Sequence, residues 1–304
     1  MKKGCSFTGR PFLCKIIKLK NYLSLIKFSH TIFAMPFAMV GYVLAVVKEG
    51  RSFDLKLLAL VILCMIFARS AAMAFNRWLD RDIDAQNPRT SIREIPSGIV
   101  AAESALIFVI FNCSLFVLST WFINPLCFYL SPVALLVVLG YSYTKRFTSL
   151  CHLVLGLGLS LAPVGAFLAV TGKFETVPVL LGFSVLFWVS GFDIIYALQD
   201  EDFDRKHHLN SIPVFMGQIK SFRLSELLHL LSAAFLIAGL VLAKDYYALS
   251  YVSIIAVSIF LVMLVYQHLI IKPSDLSRVN VAFFTTNGIA SVIFGTLFIL
   301  DLLF

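Results

Sequence analysis

Residues 56–84 read KLLALVILCMIFARSAAMAFNRWLDRDID, an apolar run that ends in a cluster of carboxylates. A second stretch of the same design, residues 178–204, reads PVLLGFSVLFWVSGFDIIYALQDEDFD. About 20 apolar residues suffice for a membrane-spanning helix, because the hydrocarbon core of a bilayer is about 30 Å thick. These two stretches therefore predict membrane-spanning helices that carry acidic groups at one end.

The rest of the chain has the same apolar character. Of its 304 residues, 60% are hydrophobic and only 14% are charged, whereas soluble domains carry roughly 25% charged residues. Nine apolar runs are long enough to span a membrane, at about 22–47, 56–79, 99–121, 124–143, 150–171, 178–199, 221–243, 246–268 and 281–303. The sequence predicts an all-α polytopic membrane protein that forms one domain over residues 1–304.

The net charge of +8 follows the topology of these runs. Most of the 25 Lys and Arg residues fall on one predicted face, in segments 1–20, 77–98, 144–149, 200–223 and 269–280. The opposite face holds only Lys48, Arg51, Lys56, Lys173 and Lys244. Since basic loops stay in the cytoplasm, the N-terminus, the basic segment 1–20 and both acidic helix ends are predicted to be cytoplasmic. No soluble basic face remains for nucleic acid.

The first acidic cluster has a regular spacing. Asn76, Asp80 and Asp84 are four residues apart, so on a helix they form one stripe. Carboxylates at this spacing repel each other, but a divalent cation between them reverses the sign of the interaction. Oxygen-only ligands suit Mg²⁺, which bridges to substrate phosphates. The spacing predicts a site for Mg²⁺ and a phosphorylated substrate.

The second cluster repeats the pattern and suggests an internal pseudo-repeat. Asp200 and Asp204 are again four residues apart, and Asp193 lies deeper in the predicted membrane. A carboxylate at that depth is costly unless it is paired or functional. The remaining acids of both clusters point off the stripes and are expected to be solvated or interfacial charges: Asp82, Glu201 and Asp202.

NRWLDRDIDAQNPRT (76–90) resembles the NxxxDxxxD motif, and DIIYALQDEDFD (193–204) the YxxxDxxxD motif, of the UbiA superfamily of intramembrane aromatic prenyltransferases. The resemblance implies nine transmembrane helices around a central cavity. It also implies Mg²⁺ as cofactor, a polyprenyl diphosphate donor and an aromatic acid acceptor in a membrane lipid environment. No obligate protein partner is evident, and a bacterial inner membrane is the expected location.

The resemblance assigns roles to individual residues. Metal ligands would be Asp80, Asp84, Asp200 and Asp204, and diphosphate contacts would come from Asn76, Arg89, Arg93, Lys145 and Arg146. Tyr196 is a candidate for stabilising an allylic cation with its ring, and Asp193 for positioning the acceptor or removing its ring proton. Arg69 either binds an acceptor carboxylate or forms a structural pair with Asp193.

Two alternatives to 4-hydroxybenzoate prenylation for ubiquinone synthesis stay open. Many 4-hydroxybenzoate enzymes have Lys-Ser where this chain has Asn210-Ser211, so a hydroxynaphthoate acceptor on a menaquinone route is a rival within the class. A membrane cation or metabolite transporter is the rival from another class. Transport sites usually lie near the bilayer midplane, whereas these acids are predicted at the membrane interface.

Overall fold

A computed structural model of the chain describes residues 21–26, 33–273 and 275–304. Apart from an isolated bridge between Lys272 and Asp275, the regular structure in these ranges is helical. After a short turn of helix at 21–25, the helices in chain order are α1 Met35–Lys48, α2 Leu55–Leu79, α3 Arg81–Gln86, α4 Ala102–Trp121, α5 Pro125–Thr144, α6 Cys151–Thr171, α7 Thr176–Ala197, α8 Glu201–Lys206, α9 Ile212–Tyr246, α10 Tyr251–Ile270 and α11 Asn287–Leu303. A 3₁₀ turn, Leu198–Asp200, precedes α8, and a π-helical turn, Val281–Thr286, precedes α11.

The predicted all-α polytopic architecture is confirmed. Within the described ranges, eight segments are long and apolar enough to cross a membrane, and α1 is a shorter apolar helix. Each of the nine predicted runs overlaps one of these helices, and the separate runs 124–143 and 150–171 become α5 and α6.

The start of the predicted first span stays a prediction. Its described part consists of the helical turn at 21–25 and of α1 from Met35, with Pro36 in the first turn of α1. Proline favours that position because the N–H it lacks has no partner in the first turn. Residues 27–32 within this run, and the predicted cytoplasmic segment 1–20, lie outside the described residues.

Helix α1 lies in the interior of the bundle, where it packs against α6 and α11. Gly41 makes the contact with α6 possible, since a Cβ atom there would lie 2.2 Å from the carbonyl oxygen of Pro163. Small residues are the usual means of bringing membrane helices this close. Next to this contact, Phe37, Trp188, Phe260 and Phe294 form a buried aromatic core with ring centroids 5.0–5.9 Å apart.

A cavity of about 340 Å³ lies between α2, α4, α5 and α6. Its wall is almost entirely aliphatic, and the phenylalanines in it are Phe116 and Phe174. Arg69 and Tyr141 provide its polar end. The fold therefore combines a filled aromatic core with an apolar cavity that has a cationic group at one end.

Candidate active site

Both acidic motifs lie where a long helix breaks into a helix of six residues. Helix α2 ends at Leu79, Asp80 has φ −92° and ψ 7°, and α3 begins at Arg81. Asp200 ends the 3₁₀ turn after α7 with φ −104° and ψ 3°, and α8 follows. The predicted continuous helical stripe is thus interrupted at Asp80, because like charges four residues apart disfavour a helix.

Asp80 is buried against the end of α5. Its carboxylate accepts from Lys145 Nζ at 2.8 Å, from Arg146 Nη2 at 3.1 Å and from Asn76 Nδ2 at 3.2 Å. Only 2% of its side chain is exposed. A buried carboxylate needs such partners, since an unpaired charge in this position is strongly destabilising.

Asp84 is bound by the segment that follows α3. Both of its carboxylate oxygens accept from Arg93 Nη1 at 2.7 Å. Thr90 donates its hydroxyl to the backbone carbonyl of Asp84 at 3.2 Å, which holds the segment close to the motif.

Asp200 of the second motif is bound by the same segment. Arg89 donates from Nε to Asp200 Oδ1 at 3.0 Å and from Nη2 to Oδ2, and Asn87 donates to Oδ1 at 3.4 Å. Burial lowers the pKa of Arg89, but its hydrogen bonds and its charge pairing with Asp200 outweigh burial and raise that pKa overall. The segment 87–93 therefore joins the two motifs, with one arginine on each.

The ring of Tyr196 lies beside this ion pair. Its hydroxyl accepts from Arg89 Nη1 at 3.0 Å, and the guanidinium carbon lies 5.3 Å from the ring centroid. The ring also packs on Phe283, with centroids 4.3 Å apart. Tyr196 is thus already in a cation–π geometry, with an arginine as the cation.

Asp204 completes the acidic set. Its carboxyl group lies close enough to Asp200 and Lys145 for their charges to act on it. In the described part of the chain, however, no three acidic, histidine or cysteine side chains gather closely enough to hold a metal ion. Basic side chains instead separate the carboxylates, so the motifs form a charge-balanced network of ion pairs.

Asp193 and Arg69 do not pair with each other. Asp193 Oδ2 lies 2.7 Å from His152 Nδ1, and Arg69 lines the cavity next to Tyr141. Among the described residues, no group accepts a hydrogen bond from Arg69 Nε. The alternative of a structural pair between them is therefore wrong, because histidine rather than arginine is the partner of the deep carboxylate.

The acids predicted to be solvated behave differently from one another. Asp82 is confirmed as solvated, with 80% of its side chain exposed, and Asp202 is exposed as well. The prediction is wrong for Glu201, which is buried and accepts from Arg205 at 2.8 Å. The helical break at Asp200 turns Glu201 inward, which its position in an uninterrupted helix did not indicate.

The sequence did not identify three residues that contribute to the site: Asn87, Tyr141 and His152. Asn87 follows the first motif by three residues, and a polar residue before proline is a recognisable turn signal. Tyr141 precedes the predicted Lys145-Arg146 pair by one helical turn. His152 is a single polar residue in an apolar run, so only its contact with Asp193 reveals it.

Comparison with known proteins places the chain in a class. The sequence pattern of the UbiA prenyltransferase family matches residues 34–289. The chain thus belongs to the UbiA prenyltransferase family and is a multi-pass integral membrane protein.

Individual relatives agree with this assignment. The 4-hydroxybenzoate octaprenyltransferase of Alkalilimnicola ehrlichii is 30% identical over 241 residues, which cover 79% of this chain and 80% of that protein. The apo structure of a UbiA homolog from Aeropyrum pernix K1 has a TM-score of 0.79 and 31% identity, covering 90% of this chain and 98% of that one. The structure of a UbiA homolog from Archaeoglobus fulgidus bound to DMAPP and Mg²⁺ shares the fold, with a TM-score of 0.74 at 20% identity over 93% of this chain and 99% of that one.

Proposed function

We propose that this chain is an aromatic prenyltransferase that moves a polyprenyl group from polyprenyl diphosphate to 4-hydroxybenzoate, as in ubiquinone synthesis. Relatives at about 30% identity over most of the chain are named for this reaction. The observation that carries the proposal is the joining of both acidic motifs by segment 87–93, with Arg93 on Asp84 and Arg89 on Asp200. Family membership also argues against the transporter alternative.

Mg²⁺ fits the residues of the motifs. Their donors are carboxylate oxygens and one amide, the ligands that this hard cation prefers, and a relative of the same fold is described as bound to Mg²⁺. Asp80, Asp84, Asp200 and Asp204 would hold the metal, with Asn76 orienting Asp80. When bound, the ion supplies Lewis acidity that neutralises charge on the departing diphosphate.

The basic side chains exchange partners when the donor binds. A diphosphate offers acceptor oxygens that compete with carboxylates for guanidinium and ammonium groups. Arg89, Arg93, Lys145 and Arg146 then stabilise the charge that develops on the leaving group. The carboxylates that they release become available for the metal, so donor and Mg²⁺ bind cooperatively.

The prenyl chain and the acceptor meet at the polar end of the cavity. The aliphatic wall suits an isoprenoid tail, and Arg69 binds the carboxylate of the acceptor as a bidentate fork. Once Arg89 turns to the diphosphate, the ring of Tyr196 can face the allylic cation. Asp193 accepts the ring proton after the new carbon–carbon bond has formed.

The distribution of charge supports one orientation in the membrane. Basic loops favour the cytoplasm of a bacterial cell for the motif end of the bundle, where water-soluble acceptor and Mg²⁺ are found. The whole chain acts as one membrane domain in this proposal, and the donor reaches it from the lipid phase.

The direct test is a transfer assay. Purified protein with Mg²⁺ and a labelled prenyl diphosphate is offered 4-hydroxybenzoate and, in parallel, hydroxynaphthoates. Prenylated 4-hydroxybenzoate is the expected product, and no product with any acceptor would refute the enzyme assignment.

The contacts of Asn210 are the reason to include the naphthoates in this assay. Asn210 donates its backbone N–H to the carbonyl of Lys145 at 2.7 Å. Its side-chain amide contacts the same carbonyl at 3.5 Å. Asn210 therefore supports the α5–α6 connection instead of offering a cation to an acceptor carboxylate. Exclusive prenylation of a naphthoate would select the menaquinone route.

A further inference from the structure

His152 is a buried imidazole with a partner at each ring nitrogen. It lies in the first turn of α6 with 5% of its side chain exposed. Nδ1 lies 2.7 Å from Asp193 Oδ2, and Nε2 accepts the backbone N–H of Ile212 at 3.4 Å. Because Nε2 accepts, the ring proton of neutral His152 is on Nδ1 and is donated to Asp193.

The surrounding helices fix this ring in place. The hydroxyl of Ser190 on α7 donates to the backbone carbonyl of His152 at 3.2 Å, and Ile212 belongs to the start of α9. Ser190 thus holds the backbone of His152, and the N–H of Ile212 holds its ring. The contact between this ring and Asp193 therefore joins α6, α7 and α9.

The side chain of Asp193 keeps 21% of its surface exposed, which leaves Oδ1 free for a further contact. Asp193, Arg69 and Asp80 all lie close enough to Tyr141 for their charges to act on it, and Tyr141 lines the cavity beside Arg69. The carboxylate is not part of the cavity wall, but it lies near the polar end that Tyr141 and Arg69 form.

We propose that His152 is the positioning residue for ring deprotonation, holding the carboxylate of Asp193 aimed at the acceptor; this inference rests on the proposed function. The bond from C1 of the prenyl group to the diphosphate oxygen breaks, with its electron pair leaving on the diphosphate. A ring carbon of the acceptor forms the new bond to C1. The ring C–H bond then breaks, its electrons restore aromaticity, and the proton passes to Asp193 Oδ1.

The histidine has a clear physical task in this step. The Nδ1–H donor of His152 binds Oδ2 and so fixes the plane of the carboxylate, which leaves Oδ1 to take the ring proton. Geometry within hydrogen-bonding reach contributes about 10²–10⁴-fold to such proton transfers.

Two substitutions separate this role from simple packing. H152L keeps an apolar side chain of similar size but provides neither donor nor acceptor. H152Q provides an amide N–H for Asp193 and an amide oxygen for the N–H of Ile212. We expect H152L to lower kcat at least about 30-fold with the KM of prenyl diphosphate within twofold of wild type, and H152Q to stay within about fivefold.

Deuterated acceptor gives a readout that a purely structural role does not change. With 4-hydroxybenzoate deuterated at the two positions ortho to the hydroxyl, the isotope effect on kcat should rise in H152L, because proton removal becomes rate-limiting. H152Q should retain the small isotope effect of the wild type. If H152L does not fold, H152A with and without added imidazole supplies the same comparison, with rescue by imidazole expected.

Different experimental results would refute the role of His152 and the proposed function. Wild-type protein that prenylates no acceptor refutes the function itself. If the wild type transfers the prenyl group, then H152L with turnover within twofold of wild type, or with an unchanged isotope effect, refutes the role of His152. H152Q as damaged as H152L refutes it as well, since the hydrogen-bonding pattern would not be what matters.

Discussion

Asp80 is the most enclosed carboxylate of the two motifs, with 2% of its side chain exposed against 7% for Asp84 and 19% for Asp200. Breaking a buried ion pair by removing one partner costs roughly 3–5 kcal/mol. Lys145 and Arg146 therefore stabilise the fold as long as no ligand is bound. In the proposed reaction the same two cations contact the diphosphate, so stability and function depend on one set of side chains.

Arg69 can be tested separately from the motifs. Because its guanidinium is proposed to bind the acceptor carboxylate, R69Q should raise the KM of the hydroxybenzoate acceptor at least about tenfold, the loss expected for one charge-assisted contact. The KM of prenyl diphosphate should stay within twofold of wild type. Steady-state kinetics with each substrate varied in turn measures both values.

A matched acceptor provides the control for this prediction. The methyl ester of 4-hydroxybenzoate has no carboxylate, so R69Q and wild type should use it equally well. A KM that rises for prenyl diphosphate alone would instead assign Arg69 to the donor.

Among single residues, the spacing in the sequence predicted the carboxylates that we propose as the donor site. It did not predict their partners. Arg89 and Asp200 are 111 positions apart, and His152 and Asp193 are 41 apart. Such pairs depend on how the helices pack, which no local pattern contains.

At the level of secondary structure, the two acidic motifs share a break in the helix. Asp80 and Asp200 have nearly the same backbone angles, and each is followed by a helix of six residues. Neither side chain caps its helix with a hydrogen bond, so both carboxylates remain available to cations. This backbone region is sparsely populated and common at active sites. The predicted pseudo-repeat is therefore visible as two matching breaks.

The close packing of α1 on α6 leads to a prediction about stability. G41A should destabilise the protein by about 1–3 kcal/mol, because its Cβ atom would overlap the carbonyl of Pro163 and force α1 away from α6. Thermal unfolding in detergent measures the change.

Gly140 supplies the control, since a Cβ atom there meets nothing within 4 Å. G140A lies inside α5 and should be neutral or slightly stabilising, because alanine favours a helix more than glycine does. Equal melting temperatures for G41A and G140A would contradict the close contact between α1 and α6.

The sequence predicted elements well where hydropathy decides and poorly where single residues decide. The run 221–243 became α9, Ile212–Tyr246, because Ser211 caps the helix at Val214 N–H. Gly217 then kinks it with φ 76°, a conformation that glycine adopts readily. Hydropathy averages over such positions and cannot place them.

In the molecule as a whole, apolar residues have two roles: they fill the core and they line the cavity. Fully buried phenylalanines such as Phe37, Phe260 and Phe294 fill the core around α1, and the cavity wall is aliphatic instead. Phenylalanine content alone could not distinguish a core from a tunnel. The single-domain assignment over residues 1–304 stays a prediction.

The orientation of the whole chain in the membrane can be tested by chemical labelling. Asp82 is exposed at the motif end, and Glu49 is exposed in the connection after α1. Since basic loops remain in the cytoplasm, a membrane-impermeant maleimide added to intact cells should label E49C and not D82C. Each variant is compared with the unsubstituted chain, and disrupted cells should allow both to react. The reverse pattern in intact cells would invert the orientation.

In the proposed reaction, the two motifs bind diphosphate and Mg²⁺ together by exchanging ion-pair partners. The most direct measurement is the affinity of a non-reactive prenyl diphosphate analogue, determined by calorimetry with Mg²⁺ and with a chelator. We predict binding at least about tenfold tighter with Mg²⁺, equivalent to about 1.4 kcal/mol of coupling. D80N and D200N should lose this difference, and D82N should keep it. Equal affinity with and without Mg²⁺ in the wild type would contradict the account.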